Sequence, residues 1–285
     1  MFLQYIVNGV FYGATLALPA IGLTLIFAVL RFPTFALAAH LAVGAYAGYV
    51  LNVWFGIPLV PSYVFAFLVA GVVGVIGDEV TVKPLDGRGS LSVAIVTIAL
   101  SIIVENVLRF SFGNELRGFD LPLYRDAVFG GVRFGVQQLI NFGAALAIML
   151  VVFGFLNFTT LGKAMRAVAD NPSLAALRGI NPHFVRRFAV FLGMGLAGLG
   201  GALIAAETSV DPLMGTRTML PIFAAAILGG LGSIPGAVLG AIVIGIISET
   251  SLMFIPPTYR SAVSFFVLII VLSFRPQGIL GDFKK

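Results

Sequence analysis

The chain has 285 residues, 59% of them hydrophobic and only 10% charged, with mean hydropathy +1.07, a formal charge of +5 and no cysteine. An ordinary soluble domain is about 25% charged; apolar runs of roughly 20 residues without strand-like alternation mark an integral membrane protein made of helices and exclude a β-barrel. The lack of cysteine excludes disulfides, iron–sulfur clusters and thiol nucleophiles, and the positive charge, with no basic helix or aromatic–basic stripe, suits loops beside anionic lipid better than a nucleic-acid partner.

In chain order the apolar segments fall at 6–30, 35–52, 60–77, 91–110, 136–157 and 187–207, then 219–230 with 236–250, and last 260–274. The fold class is all-α integral membrane: a polytopic bundle of about eight or nine transmembrane segments in one domain, 1–285. The first run has no basic leader and continues too far for a signal peptide, so an uncleaved span is expected. Arg31-Phe32-Pro33 makes a tight turn between the first two segments, and Lys83 and Arg88 lie between the third and fourth. The stretch 114–133 is longer and mixed in sign.

The residues 220–251 read as a short helix, a break and a second helix. The break is Gly229-Gly230-Leu231-Gly232-Ser233-Ile234-Pro235-Gly236, and the piece before it, about a dozen residues, is too short to span a core of ~30 Å. Interrupted membrane segments occur where exposed backbone is buried in protein or lines a cavity; a tight turn between two thin spans is the alternative. The other glycines cluster too: Gly193, Gly195, Gly198, Gly200 and Gly201 in one helix, Gly240 and Gly245 in another, Gly71, Gly74 and Gly77 in a third. They are expected to be packing positions, because small residues let helix backbones approach closely in lipid.

One polar island, 160–187, interrupts the apolar pattern with Lys163, Arg166, Arg178, Arg186 and Arg187, and with Asp170 as its acid. Lys163 to Ala169 favours helix. Asp170 or Asn171 can cap a second short helix that starts at Pro172, Gly179 is placed to end it, and Asn181-Pro182 launches the next long helix. Two short helices at a membrane surface suit docking to a partner; an interfacial linker with solvated charges is the alternative. If the island is inside, alternation puts eleven basic residues inside and six outside, so the N-terminus lies outside and the C-terminus in the cytoplasm.

Catalytic patterns are missing. The two histidines, His40 and His183, are far apart, and no HExxH, nucleophile elbow or dinucleotide fingerprint is present. Gly229–Gly236 lacks the Gly-Lys-Ser/Thr ending of a phosphate-binding loop, so any ATP must be hydrolysed by another subunit. No metal and no cofactor are expected. Thr97, Ser101, Glu105 and Arg109 recur at helical spacing in the fourth segment and are, with His40, candidates for a transport path, since polar groups in hydrocarbon are costly. A structural Glu105–Arg109 pair and a packed histidine are the competing readings. Glu207 and Glu249 are expected to be solvated at outer helix ends. An ion-coupled secondary transporter would need more intramembrane acids than Glu105 alone.

Gly162-Lys163-Ala164-Met165-Arg166-Ala167-Val168-Ala169-Asp170-Asn171, with Ala175 to Leu177 and Gly179-Ile180-Asn181, closely resembles the coupling loop of the branched-chain amino acid ABC transporter permeases. Ala20–Thr24, the stretch 89–113, Phe274–Gly281 and above all Ala226–Ala237 resemble the same family, so the likeness covers most of the chain. It implies an inner-membrane permease domain forming half a translocation pathway for branched-chain amino acids or related small solutes. The implied partners are a second related permease, two cytoplasmic ATP-binding subunits, a periplasmic substrate-binding protein and the lipid bilayer. It assigns docking on the ATPase to Lys163, Arg166, Ala167, Asp170, Asn171, Ala175 and Gly179. One departure stands out: where the family usually has Asn-Phe-Ala-His-Gly-Glu, this chain has Thr34-Phe35-Ala36-Leu37-Ala38-Ala39, then His40. A more apolar path there would leave the solute open.

The charge asymmetry predicts the topology. Reporter tags at Ala169 and after Lys285 should both read as cytoplasmic, and one near Arg125 as external; an external Ala169 would overturn the orientation.

Overall fold

The computed structural model describes residues 2–85, 89–122, 126–129, 132–274 and 278–280. Arg88, Arg125, Arg275 to Gln277, Gly281 and the terminal lysines, used above for orientation and resemblance, lie outside the described residues. The helices are α1 (Phe2–Leu30), α2 (Leu37–Tyr49, prolonged by a π-helical turn Val50–Trp54), α3 (Leu59–Gly77, prolonged by a π-helical turn Asp78–Val82) and α4 (Ser90–Phe112). A two-stranded antiparallel hairpin, β1 (Ala127–Phe129) and β2 (Val132–Phe134), precedes α5 (Val136–Phe158). Then come α6 (Thr160–Asp170), α7 (Pro172–Leu177), α8 (Pro182–Glu207), α9 (Met214–Gly229), α10 (Ile234–Ser251) and α11 (Arg260–Phe274). Among the described residues, eight helical stretches are long and apolar enough to cross a membrane, and α9 is a shorter apolar helix.

The core is built around α8, on which α1, α2 and α3 all pack, while α10 lies along α1. In the apolar window of α8, 89% of residues are buried; in α4 and α11 the shares are 17% and 11%. Lipid is as apolar as leucine, so helix association has to come from close packing and polar contacts. The glycines supply that closeness. A Cβ on Gly13 would lie 2.7 Å from the Ala241 carbonyl oxygen, and one on Gly9 would lie 2.6 Å from Ile246 Cα. Gly22 and Gly193 join α1 to α8 in the same way, and Gly44 and Gly198 join α2 to α8. Gly200 accommodates the ring of Pro19, which sits inside α1. The expected packing glycines therefore do pack, with Gly77 the loosest of those in α3, facing only the Leu100 side chain at 3.1 Å.

The turn between α1 and α2 starts at the exposed Arg31 and runs into the bundle. Thr34, Ala36 and Leu37 are buried, and the Phe35 backbone is bonded by two side chains from the middle of α4. At the opposite end of α1, the Gln4 carboxamide donates to Arg133 O and accepts from Arg133 N, both at 2.8 Å, fastening the helix to β2.

Gly198→Leu should therefore prevent a folded, monodisperse protein from being purified in detergent, at a cost of about 3 kcal/mol or more. Gly143→Leu, on α5 with no atom within 4 Å of its would-be Cβ, should behave like the parent.

Candidate functional site

The polar island is an ordered platform. Thr159 leaves α5 in an extended conformation and its Oγ accepts from Gly162 N at 3.1 Å, capping α6. Gly162, Met165 and Val168 form the buried side of α6, while Lys163, Arg166 and Asp170 are exposed. Asn171, not Asp170, caps α7: its Oδ1 accepts from Leu174 N at 3.0 Å, with Pro172 as first residue. Gly179 ends α7 with φ of +82°, a conformation glycine adopts without strain, and Ile180 N closes the turn on Ala175 O at 3.1 Å. Asn181 Oδ1 then caps α8, accepting from His183 N and Phe184 N.

Charge pairs fasten this platform to the bundle. Arg31 Nη2 donates to Ala169 O and Asp170 O, each at 2.9 Å, so a cation neutralises the carbonyl end of α6. Arg186 bonds Asp78 with both arms of its guanidinium, at 3.0 and 3.2 Å, where Asp78 is buried at the end of α3. Beside it Arg187 pairs with Glu79 at 2.5 Å, and Glu79 also holds Lys83 at 2.6 Å. Arg166 donates to Asn157 Oδ1 at 2.9 Å.

Of the residues assigned to docking, Lys163, Arg166, Asp170 and Asn171 are exposed and Ala167 is half-buried. Ala175 is buried under α7, 4% exposed, and packs inside the chain rather than facing outward. In its place the surface offers Leu174 and Leu177, 56% and 84% exposed. Which side of this short helix faces out is decided by the packing of Ala175 beneath it.

A second feature lies against the first. At the break, the backbones of Gly229 and Gly236 meet so closely that a Cβ on either would strike the other, and Gly240 fits against Ala225 O. These contacts make α9 and α10 an antiparallel hairpin, with α9 longer than expected at 16 residues. Gly230 and Gly232 take φ of +100° and +99°. Ser233 Oγ caps α10 by accepting from Gly236 N, and Pro235 sits in its first turn. The tail completes the hairpin: Ile279 N donates to Leu228 O at 2.7 Å and Leu280 N to Gly229 O at 3.1 Å, satisfying carbonyls that a helix end otherwise leaves orphaned. A cleft of about 770 Å³ runs between this hairpin and α6, walled by Met165, Arg166 and Asp170 on one side and by Leu231, Ser233, Pro235 and Leu280 on the other.

The candidate path residues do not form one site. Thr97 Oγ accepts from Phe35 N at 3.3 Å, and Ser101 Oγ donates to Phe35 O at 2.8 Å, so both are committed to the α1–α2 turn. Glu105 pairs with Arg109 at 3.0 Å and accepts from Thr216 Oγ at 3.0 Å, on the side of α4 facing the start of α9. His40 is buried between α2, α3 and α8, its Nδ1 donating to Ala36 O at 2.7 Å. Neither Glu249 nor Glu207 is simply solvated. Glu249 pairs with Arg260, whose guanidinium also lies 3.9 Å from the Tyr12 ring centroid. Glu207 accepts from Asn141, which joins Tyr63, Gln137 and Leu203 O in a network linking α3, α5 and α8. Asn141 and Tyr63 were not picked out in the sequence; the one local signal was Gln137, four residues before Asn141 and bonded to it, while Tyr63 joins from another helix.

Residues 5–272 match the family described as branched-chain amino acid transport system, permease component. The permease protein BraD of the high-affinity branched-chain amino acid transport system of Pseudomonas aeruginosa is 31% identical, over 98% of this chain and 96% of its own. The corresponding LivH of Escherichia coli strain K12 is 31% identical over the same shares. A chain of PsaBC from Streptococcus pneumoniae, solved in complex with Fab, shares the fold at TM-score 0.50 and 16% identity, over 97% of this chain and 93% of that one.

The buried and exposed ion pairs at the platform should differ in weight. Asp78→Asn removes the buried charge that faces the half-buried Arg186 guanidinium and should cost about 3 kcal/mol, read as a fall in the unfolding midpoint in detergent. Arg187→Gln, at a side chain 54% exposed, should cost no more than about 1 kcal/mol.

Proposed function

The chain belongs to the branched-chain amino acid transport permease family and is a permease subunit of an ABC importer, and from that premise we propose that α6 and α7 are its docking platform for an ATP-binding subunit. The platform lies at the cytoplasmic face, with the N-terminus outside and the C-terminus inside. The full transporter comprises this chain, a second related permease, two ATP-binding subunits that hydrolyse the nucleotide, and a periplasmic binding protein that selects the solute.

The observation that carries the proposal is the way the platform is built. Leu174 and Leu177 project from a helix capped at both ends, and Lys163, Arg166 and Arg178 are exposed around them. A solvated linker needs neither the caps nor exposed leucines. Force applied at α7 has a short rigid route inward. It passes by way of α6 and Arg31 to α1, and along the chain into α8, which Arg186 ties to the end of α3 and whose glycines touch α1 and α2 backbone to backbone. The cleft beside α6 brings the α9–α10 hairpin to the same surface.

For the solute, branched-chain amino acids remain the reading of choice. The departure at Thr34 to Ala39 falls on side chains buried inside the subunit, with Leu37 0% exposed. It alters packing at the α1–α2 turn and supports no change of solute class. The catalysed event is a movement of the protein, so this chain needs no reacting groups of its own.

Leu177→Glu places a charge in the centre of the proposed contact while leaving the bundle untouched. In the reconstituted transporter it should lower substrate-stimulated ATP hydrolysis at least tenfold, with the permease still folded and membrane-inserted. Ser273→Ala, at the far end of α11, should leave hydrolysis unchanged. Parental hydrolysis and uptake from Leu177→Glu would show that α7 is a solvated linker.

A further inference from the structure

We propose that a recess between α3, α5 and α8 binds one acyl chain of an acidic phospholipid, with the lipid phosphate held at Arg187. Tyr63 on α3 donates to Asn141 on α5 at 2.8 Å, and Asn141 donates to Leu203 O of α8 at 3.0 Å, so the three helices are tied at their outer ends. From that tie towards the platform, α3 and α5 flank a recess of about 320 Å³. Phe188, Leu192 and Leu196 of α8 form its floor, Phe67 stands on one wall and Phe155 on the other, and every residue lining it is Val, Ile, Leu or Phe. Ring contacts hold it open: Phe67 meets Phe191 edge-on and Phe155 lies against Phe188, each pair with centroids 5.6 Å apart.

The rim of the recess is open to the bilayer, since Val64 and Val151 are exposed on helices of membrane-spanning length. Water has no polar partners in such a space, and an empty recess forfeits the dispersion contacts of its lining. A flexible methylene chain can follow a slot between aromatic rings. A helix 10–12 Å across with its side chains would lie over the slot and leave it unfilled. From Phe188 to Leu199 the floor runs about 16 Å at 1.5 Å per residue, about the depth of one leaflet in a core of ~30 Å.

Charge at the platform end selects the headgroup. Arg187 stands beside Phe188 and one turn before Phe191 on α8. Its Nε donates to Glu79 Oε1 at 2.5 Å, and Lys83 holds the other oxygen of that carboxylate at 2.6 Å. Two cations on one acid leave a net positive charge at the mouth of the recess. The Arg187 side chain is 54% exposed; with Nε committed to Glu79, its Nη side is the part that meets a phosphate, by charge-assisted hydrogen bonds. A zwitterionic headgroup has no net charge to match this excess, whereas an acidic one does.

The test uses the complete transporter in vesicles of phosphatidylethanolamine and phosphatidylglycerol, with a trace of phosphatidylglycerol that carries a photoreactive diazirine midway along one chain. Illumination and peptide mapping should place adducts on Phe155 and Phe191 several-fold above those on Val72, which is exposed on α3 outside the recess. The same chain on phosphatidylcholine should label the recess several-fold less. Arg187→Gln leaves Glu79 and Lys83 as a neutral pair; it should lower phosphatidylglycerol labelling to the phosphatidylcholine level and leave Val72 unchanged. Recess labelling no higher than at Val72, equal labelling by the two headgroups, or full labelling of Arg187→Gln each overturns the proposal. None of these readouts requires coupling at α6 and α7, so failure here leaves the importer reading standing.

Discussion

Helices in a bilayer gain nothing from hiding apolar surface, so this bundle depends on how near its backbones can come to one another. Glycine sets that distance. Along α8 the residues facing α1, α2 and α3 are small enough for main chains to touch, and α1 meets α10 in the same manner. Contacts of this kind gain dispersion energy over whole helical turns and leave no soft side chains to absorb strain. The result is a stiff inner bundle with looser helices, α4 and α11, at its edge.

Stiffness at the centre gives meaning to the polar chemistry at one surface. Each short helix of the platform is capped by a side chain one residue before it, and Arg31 answers the open carbonyls of α6. Ion pairs then tie the start of α8, which follows the platform, to the end of α3 through Asp78 and Glu79. The tail at Ile279 and Leu280 satisfies the end of α9, so hairpin, tail and platform converge on one cleft. Short capped connections join α7 to α6 on one side and to α8 on the other.

The polar residues within the spans sort by their partners. Thr97 and Ser101 hold a turn that dips into the bundle, and Asn141 gathers three helices near Glu207. These groups are expensive in hydrocarbon and are used to fix helix positions.

Much of this was legible in the residues alone. Segment positions followed from the length a helix needs to cross a bilayer, and the platform from its caps, prolines and charges, because those signals act within a few residues of chain. The glycine clusters announced close packing for the same local reason. What the sequence could not say was which glycine meets which: Gly44 and Gly198 are far apart in the chain, and only the assembled bundle pairs them. Nor could it say that Ala175 turns inward while Leu177 turns out, that Thr97 bonds the α1–α2 turn, or that the tail caps α9. A side chain's role in a membrane bundle depends on what stands opposite it, and that is settled by the meeting of distant segments.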